Sequence, residues 1–466
     1  MTRHALQAAL LAPLLLTLAA CGSNDTDDDD DFPNPATVRG LHAMADLDAV
    51  TFVIEEEDLD PLTLATLSFK SASGLEGFDE QEYTLRFEIL LPDESDRSTI
   101  IETDVEVVDD MVYNLVLAGT FAAPELFVWA EPFRDWVDEL DDADDNDEDI
   151  TVLEVALGHA AQTLGPVDVY LESPGTSPNF ATPFATLAYG DHQLPIEIDE
   201  DTYQLVMTPA GDPETILLAS QEIILDAATS QLFAVLDDGG VTTEAYTIRQ
   251  LGSSLGVDLT DLDAESVLSV VHVATGTDAL DVYDARDLAA PLVTDLPFAT
   301  RSDTVTLADD RLDLVVTPTG NPGAFLEQRS SDVDPASYTR LYLLGLPGDL
   351  QSVPLDYDTR TFATHARVRL FHAAVRFRTF DAYLVGPEVD ITLANPTYGD
   401  LLYGTGTGLV RTDPGEYNLV LTEADTKNII AGPEQVVLEA GEVIEWVVVD
   451  APDITQAEIL EFEGER

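Results

Sequence analysis

Four of the chain's seven histidines stand in the same local context: His42 in VRGLHAMADLDAVTFV, His159 in VALGHAAQTLGPVDVY, His272 in SVVHVATGTDALDVY and His372 in VRLFHAAVRFRTFDAY. After the last three, an Asp follows by nine residues and a Tyr by eleven, giving Asp168 and Tyr170, Asp281 and Tyr283, Asp381 and Tyr383. The first copy keeps the spacing with Thr51 and Val53. An aromatic recurs 26 to 30 residues past each His, at Phe69, Tyr189, Phe298 and Tyr398. Fourteen residues beyond it, Tyr83, Tyr203 and Leu312 open alternating apolar runs. In the fourth copy Tyr417 stands at nineteen, which reads as a five-residue loop insertion at Leu401–Gly408 (LLYGTGTG). A register kept four times makes the chain a tandem of one folding unit of roughly 100 residues, each copy with its own core.

The local pattern within a copy is that of short strands. Arg367 to Phe371 alternates polar and apolar residues, as a strand with one solvated face does. Tyr203–Met207, Tyr417–Leu421 and Glu445–Val449 are rich in β-branched and aromatic residues. Turn chemistry separates such runs at Asp237–Gly240, Pro347–Asp349 and Asp413–Gly415. Strands do not alternate with helices, so the expected fold is all-β: four tandem immunoglobulin-like β-sandwiches over residues 36–140, 150–252, 264–352 and 364–463. The stretches Asp138–Asp149, Gly252–Glu265 and Gln351–Thr364 read as linkers. One helix interrupts the pattern: Phe133, Trp136, Val137 and Leu140 follow Pro132 at i, i+3, i+4 and i+7, a stripe expected to lie as a lid on the first sandwich.

The chain starts with a basic Arg3-His4 and an apolar run from Ala8 to Ala20, closing in Leu18-Ala19-Ala20-Cys21. The run is shorter than the ~20 residues a spanning helix needs. It resembles the lipobox of bacterial lipoprotein signal peptides, which implies that residues 1–20 are removed and Cys21 is acylated. Cys21 then anchors the protein in a membrane. Gly22 follows it, which in the Gram-negative sorting scheme implies the outer membrane, on its periplasmic face or at the cell surface. Residues 21–35, with the acidic run Ser23–Asp31 (SNDTDDDDD), read as a solvated tether. The whole chain carries 90 Asp and Glu against 20 Lys and Arg, a net charge of −70. Such a chain repels phosphate backbones and excludes a nucleic-acid partner. One Cys excludes a disulfide framework and a Cys-based zinc site.

The HA…DVY signature, the Leu-x-Tyr-Gly of Leu187–Gly190 and the Pro-Gly-x-Tyr of Pro414–Tyr417 resemble the domain of unknown function 4397, a module found in tandem in bacterial lipoproteins and wall proteins. The resemblance covers most of residues 36–460 and is clearest in copies two and four. It implies an extracytoplasmic β-sandwich array and brings no catalytic residues to carry over.

Several groups could carry chemistry. The pairs His159/Asp168, His272/Asp281 and His372/Asp381, with His42 alone in the first copy, could hold a ligand or a metal. Three similar pairs in tandem read instead as architecture, with the Asp satisfying a backbone or histidine N–H near the sandwich rim. Gly252–Gly256 matches the G-x-S-x-G elbow around Ser254, but it lies between two all-β modules with no helix to follow, so it reads as linker. Asp142, Asp144 and Asn146 have calcium-loop spacing, yet Asp147 and Leu153 stand where the loop needs Gly and Glu, which leaves only loose Ca²⁺ association and no other cofactor. Gly404–Gly408 reads as a loop tip. Arg367, Arg369, Arg376 and Arg378 form the one basic cluster and read as a contact patch for an acidic partner, a glycan or an envelope protein. The function expected is that of a non-enzymatic, lipid-anchored envelope protein, a surface scaffold or adhesion-type array. The alternative is a periplasmic or surface lipoprotein that binds a solute or polysaccharide.

Overall fold

The computed structural model describes residues 34–466 apart from 58, 93, 147–148, 253–255, 308–310 and 465–466. Cys21, the leader, most of the tether, and Ser254 lie outside the described residues. Asn34–Arg466 forms one compact unit.

The first sandwich shows the plan. Its strands are β1 (Ala36–His42), β2 (Ala49–Glu56), β3 (Leu62–Ser68), β4 (Glu76–Phe78), β5 (Gln81–Ile89), β6 (Ser98–Val107), β7 (Met111–Thr120) and β8 (Ala123–Pro132). They form two sheets, β4-β1-β7-β8 and β3-β2-β5-β6, antiparallel throughout except that β1 runs parallel to β7. The parallel pair recurs as Val152–His159 with Ser230–Asp237, Val267–His272 with Tyr338–Leu346, and Ala366–His372 with Val443–Asp450. The protein is therefore a tandem of four β-sandwiches. They share the two-sheet architecture of immunoglobulin domains, while the strand order is their own and differs from the ABED/CFG arrangement.

The two sheets of each sandwich differ in kind. In β5 the side chains alternate: Tyr83, Leu85, Phe87 and Ile89 are buried in the core and Thr84, Arg86 and Glu88 face outward. The β1/β7 sheet is buried on both faces instead. All seven residues of Ala366–His372 and all eight of Val443–Asp450 are buried. The alternation of Arg367–Phe371 thus does not mark a solvated face; it marks two different interiors. Leu41, Val116 and Trp129 of the first sandwich pack on Ala156, Ala234 and Leu236 of the second. Val271, Tyr342 and Leu344 of the third pack on Phe371, Val447 and Val449 of the fourth. Each sandwich contributes equivalent positions, so the two joints are internal counterparts of a symmetric dimer interface. At the second joint the Tyr342 and Phe371 rings stack with centroids 3.8 Å apart.

Charges buried at these joints are paired. Arg340, fully buried, reaches Glu445 across the third joint partner at 2.6 Å, and Tyr342 Oη donates to the same carboxylate. The Arg340 guanidinium lies 3.9 Å from the Tyr357 ring centroid. Lys70 of the first sandwich is ion-paired to Asp238 of the second, both buried. Backbone hydrogen bonds then tie the two pairs of sandwiches together: Thr359 N–H to Gly240 O at 2.9 Å, Ala363 N–H to Asp46 O at 2.8 Å and Thr243 N–H to Ala336 O at 2.8 Å.

The stretches read as linkers are largely structure. Asp349–Asp356 is the last strand of the third sandwich, which therefore extends past residue 352. Val257–Leu259 adds an edge strand to the second sandwich beside Tyr246–Leu251. Within Asp138–Asp149 the chain continues helix α1 (Trp136–Asn146). Asp135 starts that helix as its cap, its Oδ1 accepting the N–H groups of Val137 at 3.0 Å and Asp138 at 3.2 Å. The apolar stripe is not buried as expected. Val137 and Leu140 are exposed, and Trp136 turns its Nε1 to Ser230 Oγ of the second sandwich at 2.9 Å. The helix thus bridges sandwiches instead of capping one.

Gly158 shows how tight the first joint is. A Cβ there would stand 2.3 Å from the Trp129 ring, whose Nε1 donates to Gly190 O at 3.2 Å and whose face stacks on His192. Overpacking a rigid ring contact costs about 1–3 kcal/mol. Gly158→Ala is expected to lower unfolding free energy by that amount in urea titrations; an unchanged midpoint contradicts the tight joint.

Candidate functional site

The repeated histidines come first. His42, His159, His272 and His372 end the first strand of their sandwiches and are fully buried. In each, Nδ1 accepts the backbone N–H two residues on: Met44 at 3.3 Å, Ala161 at 3.2 Å, Ala274 at 3.3 Å and Ala374 at 3.2 Å. That puts the ring proton on Nε2, which in His159 and His272 donates to Gly165 O and Asp278 O, both at 3.2 Å. Burial depresses all four, His42 to about 3 and His372 to about 4, so the rings are neutral.

An aromatic closes edge-on over each ring: Phe69, Tyr189, Phe298 and Tyr403. The residue after that aromatic has positive φ and gives its N–H to the histidine carbonyl: Lys70 at 2.7 Å, Gly190, Ala299 and Gly404 at 2.8 Å. The partner in the fourth copy is Tyr403, not Tyr398. Counted from Tyr403, Tyr417 stands at fourteen residues, as in the other copies. The five-residue insertion therefore does not exist. Gly404–Gly408 is not a loop tip either; it runs along the first strand, with His372 N–H to Thr405 O at 2.9 Å and Thr407 N–H to Leu370 O at 2.9 Å.

The aspartates act on backbone. Asp168, Asp281 and Asp381 are buried on the second strand. Asp381 takes Asp400 N–H at 2.9 Å on one oxygen and Asp425 N–H at 3.0 Å on the other. Asp281 takes Asp295 and Gly320 N–H, both at 2.8 Å. Asp168 takes Thr186 Oγ1–H at 2.5 Å and Gly211 N–H at 2.7 Å. These donors sit in turns with positive φ, apart from Thr186. Each carboxylate thus staples two turns to the sheet, and no His–Asp pair is brought into contact.

The arginine cluster splits. Arg367 and Arg369 are buried, against the reading of a solvated contact patch. Arg367 donates to Arg360 O at 2.7 Å and to Asp358 Oδ2 at 3.0 Å, and Arg369 donates to Asp356 O at 2.7 Å. Both hold the segment that enters the fourth sandwich. Arg376 and Arg378 are exposed, with Arg376 Nη1 on Ala451 O at 2.8 Å. Asp142, Asp144 and Asn146 lie on a helical backbone, not in the irregular loop that calcium coordination by such spacing needs; their side chains lie outside the described residues.

One concave site remains, and sequence reasoning did not locate it. A cavity of about 300 Å³ opens between the first two sandwiches beneath the Phe133–Val137 segment. Leu75, Val112, Phe133, Trp136, Leu232 and Leu251 give it mostly apolar walls. Arg39 forms part of its lining. This guanidinium is 5% exposed, donates to Asn114 Oδ1 at 2.9 and 2.6 Å and to Gly252 O at 3.1 Å, and has no carboxylate within ion-pair distance. Burial lowers it to about 10. Asn114 Nδ2 turns to Glu131 Oε1 at 3.3 Å, so a row Arg39–Asn114–Glu131 crosses the sheet face. Glu154, also in the lining, has only long contacts, to Arg134 and Ser230 at 3.5 Å, and burial raises its carboxyl.

The histidines make a pH prediction. His372 has a folded-state value of about 4 against 6.5 in the unfolded chain, so the folded state refuses a proton that the unfolded state binds. Its contribution is complete above pH 6.5 and is lost towards pH 4, at about 1.4 kcal/mol per pH unit. His372→Asn retains an acceptor and removes the titration. Urea unfolding between pH 6.5 and 5 should show the parent losing stability faster than the variant by that slope; parallel curves contradict a neutral buried ring.

No family model matches the chain, and no curated protein is similar to it. Among solved structures, a candidate adhesin from Bacteroides ovatus is 10% identical over 52% of this chain and all of its own, with a TM-score of 0.15. A candidate cell adhesion protein from Bacteroides fragilis is 8% identical over 47% of this chain and 96% of its own, with a TM-score of 0.13. A second one from Bacteroides ovatus is 10% identical over 49% and 98%, with a TM-score of 0.12. Likenesses of this size carry no argument about function.

Proposed function

We propose that this protein is a lipid-anchored component of a bacterial outer membrane, held by Cys21, that presents four modules of the domain of unknown function 4397 as one non-enzymatic scaffold or adhesion-type block. The observation that carries the reading is the packing of the β1/β7 sheets against one another, which turns a tandem chain into a rigid body with its loops outward. Two of those loops offer apolar contacts: Phe180 is 91% exposed and Leu393 89%, each between the second and third strands of its sandwich. Binding through loops on a stiff framework is a common use of such sandwiches. The lipobox and the acidic tether support placement off a membrane surface. One observation favours a second reading, that of a solute-binding lipoprotein: the cavity between the first two sandwiches.

Protease shaving of intact cells, with a periplasmic protein as control, tests the surface placement. Fragmentation with the control intact is the expected result. Full protection would confine the protein to the periplasm and leave the solute-binding reading ahead.

A further inference from the structure

We infer that the cavity between the first two sandwiches binds a small zwitterion with an apolar body, an apolar amino acid or short apolar peptide, with Arg39 taking its carboxylate and Glu131 and Glu154 its ammonium. This site stands independently of the surface placement above.

The argument begins from charge. In a chain with 90 carboxylates, a buried arginine readily finds one; Arg340 has Glu445, and Arg367 has Asp358. Arg39 is buried as deeply as these and is held only by neutral acceptors, the Asn114 amide and the Gly252 carbonyl. A cation taken out of water without a counter-ion is costly, and the natural relief is an anionic group arriving from the open side. That open side is the cavity, since Arg39 forms part of its lining. A plain anion does not suit the place, however. Glu131 and Glu154 share the lining, and both are poorly supplied with donors. Glu131 Oε2 is buried without a hydrogen-bond partner, 3.4 Å from His192 Nε2. Glu154 has contacts of 3.5 Å only. Arg134 is already held by Glu139 through two nitrogens at 2.7 and 2.8 Å and by Glu197 at 3.0 Å, which leaves Glu154 with little of it.

The lining therefore presents one cation short of an anion and two carboxylates short of donors, set in apolar walls. A ligand with a carboxylate alone meets two like charges. A ligand with an amine alone meets Arg39. A ligand with both, and an apolar remainder against Leu75, Phe133, Leu232 and Leu251, satisfies every group named. The volume, about 300 Å³, lies at the small end of the roughly 300–1,000 Å³ of ligand pockets, which suits an amino acid or dipeptide and excludes a long oligomer.

The test is titration of the full chain with leucyl-leucine, followed by calorimetry and by the fluorescence of Trp136, which lines the cavity. Three comparison probes are N-acetyl-leucyl-leucine amide, octanoate and octylamine. Saturable binding of the dipeptide, at least tenfold tighter than of any comparison probe, is the expected result. Arg39→Gln should weaken it tenfold or more. Because Arg39 is buried, a second variant guards against misfolding: Leu75→Trp, at a partly exposed rim position, should block the cavity and abolish binding with the fold retained. No saturable binding of the dipeptide overturns the inference. So does binding of octanoate or octylamine as tight as the dipeptide's, or dipeptide binding unaffected by Leu75→Trp.

Discussion

The sheet that carries each histidine strand is apolar on both faces, and the rest of the molecule follows from that. One face closes the sandwich core. The other, left to itself, would expose a contiguous patch of Val, Leu, Phe and Trp, which a soluble module avoids. Packing equivalent faces against each other removes the patch twice, once between the first and second sandwiches and once between the third and fourth. Four modules that are each acidic would otherwise repel. The scarce cations are placed where that repulsion is most costly: Arg39, Lys70, Arg340, Arg360, Arg367 and Arg369 all sit at or beside junctions between sandwiches.

The repeated His and Asp serve the same architecture from inside each module. The imidazole caps the end of the first strand while its carbonyl takes the N–H of a left-handed residue from the far side of the sandwich. The aspartate ties two turns to the second strand. These are buried, satisfied polar groups, which fix one conformation of the rim. The first copy lacks the aspartate and has Thr51 there, so its turns at that end are held without this staple.

Much of this was legible in the sequence. The fourfold register gave the modules, and the β-rich runs gave their strands. The joints were not read, although a signal was present. Val447-Val448-Val449 and Leu341–Leu344 are unbroken apolar runs, the mark of a strand covered on both sides. Arg367 and Arg369 masked that signal by imitating a solvated face. Choosing Tyr398 over Tyr403 came from the smaller spacing being the expected one; only the ring packed on His372 decides it. The cavity was out of reach, because Arg39, Glu131 and Glu154 lie far apart in the chain and converge only when two sandwiches dock. The acidic run of α1 concealed a helix, since Asp-rich composition argues for a solvated linker while Asp135 supplies a cap.

The central claim is that the four sandwiches form one body. Small-angle X-ray scattering of residues 34–466 measures it directly. A compact body of this length has a radius of gyration of about 22 Å, whereas four sandwiches of ~100 residues strung end to end give about 40 Å. A value below 30 Å, unchanged with dilution, is the expected result. A value near 40 Å, with a scattering profile of separated domains, would contradict the packed sheet faces and the cavity they create.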